Sequence, residues 1–174
     1  MTAPRLDFAA IGTNPNADAL ESALVKAGHR VHWPVEWQDV SAYSAVLLRV
    51  SADDLPDAIS RLEEHLSANQ IVIHTALEIG AAPLIELPAV GIAMHRLYNG
   101  DIIVETNDEI AATVASVLIS ELHGNPVIIP AEEREALAQA LEYLAQARKL
   151  RYKALSSVTS EAVKDLVDRL GGVY

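Results

Sequence analysis

The chain contains no cysteine, which removes disulfides and thiolate chemistry from consideration. Basic residues are scarce: 13 Lys and Arg stand against 24 Asp and Glu, a formal charge of −11. That balance argues against nonspecific nucleic-acid binding and against anionic membrane surfaces, and it requires any phosphate site to be built locally. No apolar run reaches the ~18–20 residues of a membrane span. The first residues, MTAPRLDF, resemble neither a signal peptide nor an Arg-rich transit segment, so a cytoplasmic protein is expected. The six histidines show no close ligand spacing, and no metal site is expected. A G-x-S-x-G elbow and a P-loop are both missing. Apolar residues make up 51% of the 174 positions, enough for one packed domain with an appendage.

The chain is organised around residues 6–30. Leu6, Phe8 and Ile11, with Ala9 and Ala10 between them, read as a strand buried on both faces. Gly12 and the turn residues Thr13, Asn14, Pro15 and Asn16 follow directly. Residues 18–27 read as a helix with Leu20, Leu24 and Ala27 on one face, closed by Gly28 before a second strand at Val31. Strand, tight glycine turn and helix form the opening unit of a nucleotide-binding fold.

The dinucleotide fingerprint wants G-x-G-x-x-G at this turn. Here Gly12 is kept, Asn14 takes the second glycine's place and Ala17 the third. Alanine satisfies the third position, where close helix–sheet packing is the need. Asn14 sets a side chain where the backbone approaches a pyrophosphate, although Asn tolerates left-handed dihedrals. Pro15 removes one N–H near the helix end. Either the turn persists without a ligand, or a phosphate site survives on the helix amides.

The second strand ends His32-Trp33-Pro34, with no convincing acid for a ribose. Trp33 or Trp37 could stack an adenine, although packing is the commoner role. Residues 43–50, YSAVLLRV, read as a central strand, followed by Ser51-Ala52-Asp53-Asp54, where Asp53 is expected to cap a helix over 55–66. Residues 70–74 and 89–94 are two more strands, ending at His74-Thr75 and Met94-His95. In a parallel sheet the ends of such strands share one crevice. A lone strand-end histidine is commonly structural; two on one edge strengthen a functional reading. Residues 101–105 read as a strand, antiparallel at the edge. Asn107-Asp108 starts a helix over 109–122, and 126–129 adds a last short strand.

From residue 131 the composition changes. Residues 131–155 lack Gly and Pro and are rich in Ala, Leu, Glu and Arg, with acids early and bases late. Leu137, Leu141 and Leu144 form a stripe. At ~1.5 Å per residue such a helix spans about 37 Å. A final helix over 159–170 follows. Two helices cannot bury their own stripes and must pack on the sheet domain or on another subunit; a homodimer through 131–170 is expected. The expected organisation is α/β: a doubly wound, mostly parallel sheet over 1–130, then a short helical segment over 131–174.

Four segments carry a family resemblance: the Gly12 turn with Ala27-Gly28-His29-Arg30-Val31; Val50-Ser51-Ala52-Asp53-Asp54-Leu55, similar to V-P-D-D; Val72-Ile73-His74-Thr75 with Gly80, similar to V-V-H-T-S-G-x-x-G; and Met94-His95, similar to L-H-P. Together they resemble the Rossmann-type proteins with a DUF2520 helical domain, relatives of 6-phosphogluconate dehydrogenase and F420-dependent NADP oxidoreductases. The chain departs from that pattern at Ala76, Leu77 and Arg96, and its helical part is short.

The resemblance implies an NAD(P)-dependent oxidoreductase with a degenerate dinucleotide-binding loop. NADP or NAD, or F420, would then meet Gly12, Thr13, Asn14, Ala17, Val50, Ser51, Asp53 and Thr75. His74 and His95 would be catalytic, as proton donors to a carbonyl, and Arg96 would bind a substrate carboxylate. The alternative is a non-catalytic Rossmann-type module that binds a ligand or a protein and uses no cofactor.

Overall fold

The computed structural model describes residues 5–171. The chain divides into two units, one ending at Arg134 and the other beginning at Glu135. The first is built on a seven-stranded sheet in the order β2-β1-β3-β4-β5-β6-β7. Its strands are β1 (Asp7–Ile11), β2 (Arg30–His32), β3 (Ala45–Leu48), β4 (Ile71–His74), β5 (Val90–Arg96), β6 (Asp101–Thr106) and β7 (Asn125–Val127). All pairings are parallel except β5 with β6.

Helices cover both faces, which is why the central strands read as unbroken apolar runs. On one face α1 (Asp18–Ala27) and α3 (Glu109–Glu121) pack Leu20, Leu24 and Leu118 against Phe8, Leu47, Ile73, Ile92 and Ile102. On the other, α2 (Leu55–Glu63) packs Leu55 and Leu62 against Ile11, Val46, Leu48 and Val72. Leu84, from the segment between β4 and β5, joins this second core. This is a doubly wound Rossmann-type sheet.

One detail departs from expectation. The antiparallel strand β6 is interior, because β7 pairs with it in parallel outside. The chain between β2 and β3 contributes no strand beyond β2; it forms a 3-10 turn over Trp37–Ala42 that buries Val40. The sequence therefore leaves β1 toward β2 on one side and resumes at β3 on the other. That reversal is a topological switch point, where the carboxyl ends of adjacent strands open a crevice.

The second unit consists of α4 (Arg134–Ser156), counted from Glu135, and α5 (Glu161–Gly171). Arg151 of α4 pairs with Asp168 of α5 at 2.6 Å. Tyr143, Leu144, Leu150 and Tyr152 on α4 are exposed, as are Val163, Leu166 and Leu170 on α5. No helix among the described residues is long and apolar enough to cross a membrane.

Candidate functional site

The switch-point crevice holds an open pocket of about 570 Å³. Gly12, Thr13, Asn14 and Pro15 after β1 line it, with Arg49, Val50 and Ser51 after β3, and Asp54, Asp57, Ala58 and Arg61 on α2 or just before it. Trp37, from the 3-10 turn, completes the lining.

Gly12 is required by the backbone packed against it. Its φ is +92°, and a Cβ there would lie 2.2 Å from the Arg49 carbonyl oxygen. The same carbonyl accepts the Asn14 N–H at 2.9 Å, while Arg49 N–H donates to Ile11 O at 2.7 Å. The turn is thus sewn onto β3. Asn14 is extended, at φ −63° and ψ 121°, so its left-handed tolerance is unused. Its side-chain oxygen instead accepts the Asn16 N–H at 2.9 Å and caps a 3-10 turn over Pro15–Ala17. Ala17 N–H donates to Asn14 O, and Asp18 N–H to Pro15 O. Every backbone N–H from Asn14 to Asp18 is therefore engaged inside the turn or on Arg49, just past β3, Pro15 having none.

The charges are similarly engaged. The Arg49 guanidinium contacts Asp18 at 2.6 Å and Glu21 at 3.0 Å, both in the first turn of α1. Arg61 lies over the Trp37 ring, 4.4 Å from its centroid, in a cation–π contact. Ser51 Oγ donates to Asp54 Oδ2 at 2.7 Å and accepts the Asp54 N–H at 3.2 Å.

Asp53 is a correction to the expected cap. Asp54 occupies the N-cap position of α2 and makes no side-chain cap bond, because Ser51 holds its carboxylate. Asp53 is exposed and lies outside the pocket lining. Ala17 is fully buried against the sheet.

His74 and His95 share the sheet face that α2 covers. His74 is in register with Ala93 of β5, His95 lies two residues further along, and side chains two apart on a strand point the same way. Neither lines the pocket. His74 is fully buried, and its Nε2–H donates to Gly80 O at 2.9 Å. Burial lowers its pKa to about 4, reinforced by the Arg134 charge and opposed by the Gly80 carbonyl and Glu105. His74 Nδ1 and Thr75 Oγ1 are buried with no hydrogen-bond partner among the described residues. His95 is half-buried; Nδ1–H donates to Thr75 O at 2.9 Å, which leaves Nε2 as the acceptor nitrogen. Arg96 points to the opposite face, toward α3, and donates to Leu122 O at 3.3 Å at that helix's C-terminal end. It does not join the histidines.

The local spacing of residues gives no sign of the network above His74. Glu105 of β6 accepts the Ala81 N–H at 2.9 Å and Arg134 Nη2 at 2.7 Å. Arg134 also donates to Leu77 O at 3.2 Å, and Asn107 Nδ2 to Ala81 O at 2.6 Å. A Cβ on Gly80 would meet the Glu105 carboxylate at 2.2 Å, so the segment closes down on glycine. No cluster of three or more His, Asp or Glu placed to hold a metal ion occurs among the described residues.

No protein-family model matches the sequence, and no curated protein does. Solved structures do match in fold. One, from Bacteroides fragilis and provisionally assigned as an NADP oxidoreductase, aligns with a TM-score of 0.73 at 13% identity over 95% of this chain and 78% of that one. Plasmodium falciparum pyrroline carboxylate reductase with NADP bound gives 0.62 at 13% identity over 95% and 75%. The 1-pyrroline-5-carboxylate reductase of Streptococcus pyogenes gives 0.62 at 14% over 95% and 76%. At such identities the likeness establishes the fold: the Rossmann-type sheet that these oxidoreductases share.

Proposed function

We propose that this chain is a ligand-binding protein on an oxidoreductase-type Rossmann sheet, with a degenerate dinucleotide loop and no hydride-transfer activity. One observation carries the reading: the amides from Asn14 to Asp18 are already engaged. A pyrophosphate at this turn needs backbone donors and the positive end of the helix. Here it would meet occupied donors, a proline, and Asp18 and Glu21 in the first turn of α1. The residues present do not fit a dinucleotide held in the usual way. His74, sealed beneath the segment around Gly80, supports the same reading.

The test is thermal shift with NADP(H), NAD(H) and F420. A ligand bound only by the folded state raises its melting temperature by mass action. We expect no shift with any of them at millimolar concentration; a saturable shift overturns the proposal.

A second reading, an NAD(P)-dependent oxidoreductase, is supported by His95, whose acceptor nitrogen sits at the carboxyl end of β5, and by the NADP-binding structures of the same fold. The DUF2520-like segments belong to this reading too. We also propose that residues 131–170 pair with a second copy of the chain, given the exposed apolar side chains on α4 and α5.

A further inference from the structure

The switch-point pocket has the size of a small-molecule site and an unusual charge balance. Arg49 lies in its wall but is matched by Asp18 and Glu21. Arg61 is laid against Trp37. Asp54 and Asp57 face the same space, and both are exposed. Two carboxylates thus oppose the one guanidinium that no carboxylate pairs, in a chain of formal charge −11. Together with the engaged amides, this leaves a phosphate the single unpaired guanidinium of Arg61 among the lining residues, against two carboxylates of like charge beside it.

The same residues offer something different to an uncharged ligand. Trp37 and Arg61 both line the pocket, and an indole and a guanidinium are groups on which heteroaromatic rings lie. Carboxylates accept hydrogen bonds and donate none, so Asp54 and Asp57 suit a ligand carrying hydroxyls. We propose that the pocket takes an unphosphorylated nucleoside-type ligand, a planar heteroaromatic ring bearing hydroxyl groups, and selects against its phosphates. This rests on the preceding reading that no dinucleotide is clasped at Gly12, and it adds the chemical class of what is bound.

The experiment is a tryptophan-fluorescence and calorimetric titration of the full chain with adenosine, guanosine, cytidine and uridine, then with the monophosphate of whichever binds, and with NADP+. At least one nucleoside should bind saturably, and its monophosphate should bind about tenfold more weakly or worse. Asp54→Asn with Asp57→Asn should narrow that gap by strengthening the monophosphate. Trp33→Phe should keep the fluorescence change, and Trp37→Leu should abolish it and weaken calorimetric binding at least about tenfold. A monophosphate binding as well as its nucleoside overturns the selection against phosphate. Binding of none of the four nucleosides overturns this inference and leaves the absence of a dinucleotide clasp standing. Tight NADP+ binding overturns both.

Discussion

Arg134 Nη2 and Glu105 Oε2 lie 2.7 Å apart, with the arginine side chain almost wholly buried and the carboxylate about a third exposed. The pair sits above His74. Glu105 also holds the Ala81 amide, and Arg134 the Leu77 carbonyl. The two residues therefore fasten the chain that runs from β4 toward β5.

Removing the buried member should cost more than removing the partly exposed one. Arg134→Met keeps most of the apolar stem but leaves Leu77 O and Glu105 short of a donor. Discounting for the solvent that reaches Glu105, we expect a loss of roughly 2–3 kcal/mol. Glu105→Gln, which can still accept from Ala81 N–H, should cost about 1 kcal/mol. Urea denaturation of both variants and the double variant checks this. Additive losses would mean that the pair is not coupled.

Gly12 is the residue most easily mistaken for a ligand contact. Its substitution tests the fold first, because a Cβ would collide with the Arg49 carbonyl and the φ of +92° is unfavourable for any L side chain. Gly12→Ala should destabilise by more than about 1 kcal/mol with no ligand present. An unchanged melting temperature would show that the turn has room to give.

His74 makes stability depend on pH in a defined direction. Its folded pKa is lowered to about 4 from the usual 6.5, mainly by burial. Between those values the unfolded chain binds a proton that the folded chain does not. The contribution is therefore complete above about pH 6.5, declines as pH falls, and is gone below about pH 4, with a ceiling of roughly 3 kcal/mol. Denaturation of the natural chain and of His74→Gln at a series of pH values isolates the histidine's contribution. Their stability difference should vary across that window, and parallel curves would contradict the assignment.

Local signals explain how much could be read in advance. The opening unit and the strands at Ala45–Leu48 and Ile71–His74 are written as runs of apolar residues because both faces of the sheet are covered. Asp108 caps α3 through the Ala111 N–H, a bond between near neighbours that sequence spacing can reveal. Asp53 misled because two adjacent acids compete for one helix start, and the choice was made by Ser51. Trp37 with Arg61, and Glu105 with Arg134, are long-range partners that no periodicity links. The engagement of the turn amides was equally hidden: it depends on Asn14 adopting an extended backbone rather than the left-handed one its composition allows.

The helical unit supplies the last prediction. On α4 only Arg134, its first residue, is buried, although Tyr143, Leu144, Leu150 and Tyr152 are large and apolar or amphipathic. On α5 none is buried, and Val163, Leu166 and Leu170 recur at helical spacing. Covering such a side chain contributes about 1.5–3 kcal/mol each, so leaving all of them in water is costly and pairing with a like surface is favourable. Light scattering should give a mass near twice the 18.7 kDa of one chain. Leu144→Asp with Leu166→Asp should return it to one chain while the sheet unit keeps its thermal unfolding. A single-chain mass for the natural protein at high micromolar concentration would sink the pairing.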